Sequence, residues 1–572
     1  MTSSVRKILI LGGYGTFGGR LVLLLADATE LTLVVAGRSL ANAQAFCAPL
    51  KAAATLVPAV FDRAGDVKGQ LRDIKPDVVV DSAGPFQLYG SDPYRVVRAA
   101  IEQGIHYIDL SDGAAFVDGI VQFDAAARDR GVFILSGASS FPVLTAAVVR
   151  RLMAPCGNAG SALVRLDAVA GGIAPSPFAE IGLNVMRAIT SYAGKPVEIV
   201  RDGRRATAHG IIDTMRFTVA PPGHVPLWRR RFALVDVPEY KLLPQLWPGV
   251  RSIWMGAGTV PGIWLRALML VSFLVRLKIL PSLVPFAELI HRTRHALSWG
   301  EHRGGMFIVV KGALADGDAV ERSWHMIAEG DDGPFIPSMA AAAIIRRSLA
   351  GLAPPPGARA ATRDLELADY EALFASRKIV TGTRQDFRSG ENVPLYRRIL
   401  GGAYDLLPEQ VRVMHDLDRE LTVAGVATVD RGAGLLSRLA ARIVGFPPAG
   451  QDVPVAVTFL ARDAGELWRR RFAGLAFESL QEEGRGGNEG LLCERFGPMN
   501  FTMALVVDGE RLRLLLRRWS ILGVPMPLAL GPRIDAFEFV DNGRFCFHIE
   551  IRHPLAGLIV RYRGWLAPSL AA

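Results

Sequence analysis

Cysteine is scarce. The 572-residue chain holds four, Cys47, Cys156, Cys493 and Cys546, scattered, with no CxxC and no Cys/His cluster. That argues against a disulfide framework and a structural zinc, and no spacing of His, Cys, Asp or Glu reads as a metal site. Lysine is scarce too: nine of the 65 basic residues are lysine, and the arginines are dispersed rather than gathered into a stripe with interleaved aromatics. The net charge of +10 therefore points away from nucleic acid and toward a generic anionic surface, membrane lipid included. Apolar runs of membrane-spanning length are missing, although half of the residues are hydrophobic and the mean hydropathy is +0.26. The N-terminus, MTSSVRKILILGG, has neither a long apolar core nor a cleavage site and is read as cytoplasmic. The heptamer LWRRRFA occurs at 227–233 and 467–473, but no similarity surrounds it, so an internal repeat is not supported.

What is present begins with glycine. The stretch LILGGYGTFGG, residues 9–19, sets five glycines between a run of β-formers and an apolar, helix-like run. The chain is too long for one core, so several domains are expected. To about residue 140, strand-like runs at 7–13, 32–37, 55–61, 77–82, 106–110 and 132–136 alternate with helical stretches at 40–52, 91–103 and 113–130. Such alternation predicts an α/β fold with a Rossmann-type parallel sheet.

In that setting Gly13, Gly15 and Gly18 form GxGxxG between the first strand and the first helix. Gly13 is expected to make the tight turn, Gly15 to admit a pyrophosphate, and Gly18 to let helix and strand pack closely. Thr16 and Phe17 open the helix whose free N–H groups would meet the pyrophosphate. The second strand ends Gly37-Arg38-Ser39, where an NAD site usually places Asp or Glu. A guanidinium and a hydroxyl suit a ribose 2′-phosphate, so NADP(H) is expected over NAD(H). Asp62, after the third strand, either meets the adenine side or caps a helix.

Together LILGGYGTFGGRLV, VVAGRS, VVVDSAGPFQLYG and GIHYIDLSDG resemble the saccharopine dehydrogenase-like family over roughly residues 5–350, with WHMIAEGDDGPFIPSMAAAAIIRRSL (324–349) as a further match. The resemblance implies a nicotinamide-dependent oxidoreductase. It implies a Rossmann domain at 1–145, an inserted α/β substrate domain at 146–333, and a helix at 334–352 that returns to the first domain. Ala83, Gly84, Pro85 and Phe86 would line the nicotinamide end, with Tyr89, His106, Tyr107 and Asp109 near the same mouth. Hydride transfer needs a proton donor within reach, and Tyr89 or His106 would serve. Asp109 either joins them or merely ends a buried strand and caps the next helix. The substrate-binding arginines of a lysine-pathway enzyme are missing. The expected substrate is instead a hydrophobic or lipid-linked carbonyl, imine or alkene. A non-catalytic nucleotide-sensing or lipid-binding protein is the alternative, and an open crevice beside Pro85 and Phe86 would separate the two.

Residues 253–290 are the most apolar region, interrupted by Arg266, Arg276 and Lys278. They read as a helix lying on the inner face of a membrane, anchored by Trp254 and Trp264, or as a buried core or homodimer helix. The Pro/Gly-dense 353–390 reads as a linker. From 391 to 572 a helix around 394–417 is followed by strands at 453–460, 467–480, 490–496, 500–508, 511–522, 535–541 and 544–564. Hairpin signals in VVDGERL and FVDNGRF predict an antiparallel barrel or curved sheet. This tail resembles an uncharacterised domain fused to saccharopine-like reductases, on RRILGGAYDLLPEQVRVMHD, RFGPMNFTM, GVPMPLALGP and HPLAGLIVRYRGWL. Its Phe, Leu, Val and Met would suit an apolar, lipid-like ligand.

Overall fold

The computed structural model describes residues 6–155, 161–259, 261–385, 393–462 and 465–568. Cys156 lies outside them. Cys47, Cys493 and Cys546 are free, half-buried thiols. Two compact units divide the chain: 1–217 with 230–380, and 218–229 with 381–572.

In the first unit β1 (Lys7–Leu11), β2 (Thr32–Gly37), β3 (Thr55–Val60), β4 (Val78–Asp81), β5 (His106–Asp109) and β6 (Phe133–Ser136) form a parallel sheet in the order β6-β5-β4-β1-β2-β3. The central β4 reads VVVD and is buried at every position, as a strand covered on both faces must be. The returning helix, Ile336–Leu349, packs on α1 (Thr16–Leu25), and Ser338 Oγ donates to the Phe17 carbonyl at 2.8 Å.

A second, mixed sheet carries Leu227–Leu234, Ser252–Gly258, Arg165–Ala174, Arg303–Ala313 and Ala319–Glu329 as neighbours. One buried core joins it to the Rossmann sheet, from Ile8 and Val80 through Val148 to Met306 and Trp324.

Three expectations need correction here. The segment read as a linker is folded through residue 385: Gly357–Ala360 adds a parallel strand to β6, and the helix Leu367–Phe374 follows. Residues 386–392 lie outside the described residues. The apolar segment is not one helix. Trp254 sits in the strand Ser252–Gly258, and the helix proper is Gly262–Arg276. Trp264 is half-buried and its indole N–H donates to the Leu297 carbonyl at 3.1 Å, so neither tryptophan is a free anchor. Among the described residues no helix is long and apolar enough to cross a membrane.

The second unit is built on an antiparallel sheet of 11 strands. All but Val524–Met526 close into a barrel, because Met499–Asp508 at one end of the order pairs with Arg511–Ile521. Asn542 (φ 48°) and Gly543 (φ 72°) make the Asn-Gly hairpin turn. Two runs read as single strands are hairpins: Gly465–Phe472 with Leu475–Glu483, and Arg544–His553 with Gly557–Pro568. The strand Glu420–Arg431 and the helix Leu435–Val444 were not foreseen. The expected helix at 394–417 is two short helices, Leu395–Leu400 and Glu409–His415, with a 3-10 turn between them.

Candidate active site

The β1–α1 loop turns sharply between strand and helix, at a different glycine from the one expected. The left-handed turn is at Gly12 (φ 72°), not Gly13. Gly13 donates its N–H to the Ala36 carbonyl at 3.0 Å, which ties the loop to β2. Gly15 caps α1, whose first helical bond runs from Gly19 N to Gly15 O at 2.9 Å. The N–H groups of Thr16, Phe17 and Gly18 thus lack intrahelical acceptors and form an anion-binding helix start. Gly18 is where α1 meets the loop: a Cβ there would lie 2.2 Å from the Gly12 carbonyl oxygen and 2.6 Å from Ser82 Oγ.

From this loop a cleft of about 930 Å³ runs along the carboxyl ends of β1, β2, β3 and β4. Gly15, Thr16, Phe17, Arg38, Asp62, Ala83, Gly84, Pro85, Phe86 and Tyr89 all line it. This is the switch-point crevice in which doubly wound sheets bind ligands. The far wall is the start of the helix Leu183–Tyr192, where Asn184 Nδ2 donates to the carbonyls of Ala83 (3.1 Å) and Gly84 (2.9 Å).

At the β2 end of the cleft Arg38 is exposed and lines it. The glycine that replaces the usual acid has a steric reason: a Cβ on Gly37 would lie 2.5 Å from the Tyr14 hydroxyl. That hydroxyl accepts the Ser39 N–H at 3.2 Å. Ser39 does not line the cleft, and its Oγ caps the following helix through Asn42 N. Asp62 is not a helix cap; Asp66 has that role. Asp62 Oδ1 accepts the Ala64 N–H at 2.9 Å on the cleft rim.

At the other end Asp81, fully buried, organises the loop after β4. It accepts the Ala83 N–H (3.1 Å), the Tyr89 hydroxyl (3.1 Å) and Arg63 Nε (3.4 Å). The Arg63 guanidinium stands 3.3 Å over the Tyr89 ring. Burial and the neighbouring Asp81 carboxylate hold the Tyr89 phenol well above its ordinary range, so it keeps its proton. Tyr14, Arg63, Asp81 and Asn184 were not singled out from the sequence. The signal for Asp81 was a carboxylate closing an otherwise apolar strand.

His106 and Asp109 are corrections as catalytic candidates. His106 is the first residue of β5, at the sheet edge opposite the cleft. Its Nδ1 accepts the Phe133 N–H and its ring stacks on Phe133 at 4.0 Å. Asp109 is at the correct edge but fully buried. Its Oδ1 accepts Ser111 N, Ser136 Oγ and Gly137 N at 2.9–3.0 Å, pinning the ends of β5 and β6 together. Tyr107, on the same face of β5 as Asp109, is buried in the core.

Comparison with known proteins meets this geometry. Residues 8–135 match the family model of the saccharopine dehydrogenase NADP binding domain. The N-terminal domain is similar to the NADP binding domain of saccharopine dehydrogenases. That match spans β1 through β6 and every cleft residue except those of the Leu183–Tyr192 helix and its lead-in. Residues 407–566 match a domain of unknown function, DUF4166, and span most of the barrel. A 61-residue stretch, 10% of this chain, is 34% identical to the lipid droplet localized protein of Caenorhabditis elegans and covers 14% of that relative's length. Among solved structures, apo saccharopine dehydrogenase (L-Glu forming) of Saccharomyces cerevisiae aligns with TM-score 0.46 and 15% identity, over 67% of this chain and all of that one. A Gfo/Idh/MocA family oxidoreductase of Vibrio cholerae aligns with TM-score 0.25 and 10% identity, over 64% of this chain and 99% of that one.

Proposed function

We propose that the chain is an NADP(H)-dependent oxidoreductase that moves a hydride to or from a hydrophobic or lipid-linked carbonyl, imine or alkene. The observation that carries this reading is the single cleft joining Arg38, the helix start at Thr16–Gly18 and the Pro85–Phe86 loop. It has the polarity a dinucleotide needs at each station. The crevice beside Pro85 and Phe86 is open space, which supports an enzyme over a nucleotide sensor.

The residues fit the cofactor. Thr16, Phe17 and Gly18 would hold its pyrophosphate, Arg38 its 2′-phosphate, and the Ala83–Phe86 loop its nicotinamide, which supplies or takes the hydride. Asn184 fixes the loop carbonyls, and Asp81 with Arg63 fixes Tyr89. Tyr89 would serve as the proton donor once its hydroxyl, here donating to Asp81, turns to the substrate. His106 has no part in this arrangement.

Titration with NADPH and NADH tests the reading. The wild type is expected to prefer NADPH, and Arg38→Asp to lose about 1.5–3 kcal/mol of NADPH binding, roughly ten- to a hundredfold, while NADH binding holds or improves. Equal NADPH affinity in the variant would remove Arg38 from the site. No binding of either nucleotide would remove the reading.

A lipid-surface contact is the second element, supported by the relative named for lipid droplets. The helix Gly262–Arg276 and its continuation expose Leu270 (72%), Leu277 (63%) and Ile279 (64%) beside the basic Arg266, Arg276 and Lys278. Burying each such side chain contributes about 1.5–3 kcal/mol. Leu270→Glu with Leu277→Glu should therefore cut sedimentation with phosphatidylglycerol-containing vesicles more than tenfold. A wild type that does not sediment with them removes this contact and leaves the hydride reading standing.

A further inference from the structure

The barrel of the second unit encloses a cavity of about 310 Å³, within the range of sites that bury a small ligand. Its two ends differ in kind. The helix Glu409–His415 leads into the start of Glu420–Arg431, and the helix Leu435–Val444 follows that strand's end. The two helices therefore lie at opposite ends of the barrel.

The first end is closed and polar. Tyr396, fully buried, stacks on His415 at 3.7 Å and donates its hydroxyl to Gln481. His415 Nε2 meets Glu538 Oε2 at 2.6 Å. Glu494 Oε1 accepts Arg470 Nη2 (3.0 Å), Ser479 Oγ (2.7 Å) and Gln481 Nε2 (3.1 Å). His415, Glu538, Glu494 and Arg470 all line the cavity.

The other end is mostly apolar: Ala440, Val444, Phe446, Ile534, Ile551 and Ile559 line it, with His553 beside them, its Nε2 against the Leu530 carbonyl at 3.2 Å. Ala440 and Val444 come from the covering helix, whose outer face exposes Leu435 (82%), Leu436 (58%) and Leu439 (57%).

The chemistry of the closed end selects a head group. Two carboxylates face the cavity there. Arg470 is the lining guanidinium among the described residues, and it is already committed to Glu494 and to Ser479 Oγ. His415 is 1% exposed, and its Nδ1 is buried without a hydrogen-bond partner. The closed end thus presents two carboxylates, and the guanidinium that faces them is already paired. A carboxylate head would meet like charge; a hydroxyl can donate to a carboxylate oxygen.

We infer that the barrel is a binding site for a single lipophilic molecule with a hydrogen-bond-donating head, an alcohol rather than an acid. The hydroxyl lies against His415 and Glu538, and the hydrocarbon points toward the Leu435–Val444 helix. That helix, whose outer face sets Leu435, Leu436 and Leu439 beside the exposed Arg438 and Arg442, is the side of entry from a lipid phase. This inference stands on the barrel alone and is independent of nucleotide binding in the other unit.

The test is calorimetric titration of delipidated full-length protein with 1-dodecanol and with dodecanoate at neutral pH. Dodecanol should bind one per chain and dodecanoate at least tenfold more weakly. Ala536→Phe, which fills the cavity wall, should abolish dodecanol uptake; Val457→Phe repeats the test from another strand if the first variant loses its circular dichroism or melting transition. Glu538→Gln should narrow the preference for the alcohol, an effect that a purely structural glutamate would not produce. Failure of folded wild type to bind dodecanol, equal affinity for dodecanoate, or full binding in a folded cavity-filling variant would each overturn the inference.

Discussion

Gly18→Ala is expected to abolish nucleotide binding while leaving the barrel intact. The added methyl would lie 2.2 Å from the Gly12 carbonyl oxygen and 2.6 Å from Ser82 Oγ, and the first of these is backbone that cannot rotate away. Gly12 itself sits at φ 72°, and a Cβ there would lie 3.0 Å from the Ala83 Cα, so the loop has no slack on that side. Either α1 moves off the sheet or the turn at Gly12 opens. Both displace the N–H groups of Thr16 and Phe17 from the pyrophosphate position. Overpacking of this kind costs about 1–3 kcal/mol in stability, and the loss falls on the helix start that would carry the phosphates. NADPH titration should show affinity down by about a hundredfold or more, with melting of the first unit lowered by a few degrees. Gly19→Ala is the control. Its methyl would meet the Phe46 ring at 2.9 Å, a side chain at the back of the helix, so nucleotide binding should largely survive. Wild-type affinity in Gly18→Ala would mean that the phosphates sit elsewhere.

The Rossmann unit was legible because its signals are local. A buried parallel strand is a continuous apolar run, and its glycine turn is contiguous in sequence. The exchange of roles between Gly12 and Gly13 was not legible, since adjacent glycines both fit the spacing and only the backbone shows which one turns. His106 illustrates a second limit. It lies three residues before Asp109, and at about 3.3 Å per residue that carries a side chain the full length of a short strand. Nearness in HYID thus became opposite edges of one sheet. In the tail, alternation marked strands but not their ends. The turn at Ala473 (φ 45°) and Gly474 (φ 89°) uses Ala-Gly, a weaker signal than Asn-Gly, so two strands read as one. Glu420–Arg431, rich in Ala, Gly and Val, pairs on both sides by backbone alone for much of its length and carries little side-chain pattern to read. Asn184 was invisible for another reason: it reaches the Ala83–Gly84 loop across 100 residues of sequence, and nothing in GLNVMR announces that contact.

Glu239→Gln is expected to flatten the pH dependence of stability and to stabilise the protein at pH 8. Glu239 opens the helix Glu239–Leu246 yet is fully buried. Its Oε1 accepts the Thr145 hydroxyl at 2.9 Å, and its Oε2 has no partner. A helix N-terminus favours the carboxylate, but burial outweighs it and pushes the carboxyl up to about 8. An acid raised in the fold binds a proton that the unfolded chain has released. Stability is therefore fully retained below the ordinary carboxyl range and falls as pH rises toward 8, by up to about 1.4 kcal/mol per pH unit. Asp109, pushed up to about 7 by burial, acts in the same direction but levels off a unit earlier. Glutamine keeps the acceptor for Thr145 and carries no titrating proton. Urea unfolding from pH 5 to 8 should give a shallower line for the variant, with the two proteins closest at pH 5. The interval from 7 to 8 is the most informative. Asp109 contributes equally in both proteins, so the difference in slope belongs to Glu239. Parallel lines across that interval would mean that Glu239 is ionised in the folded protein and that a group facing its Oε2 compensates the charge.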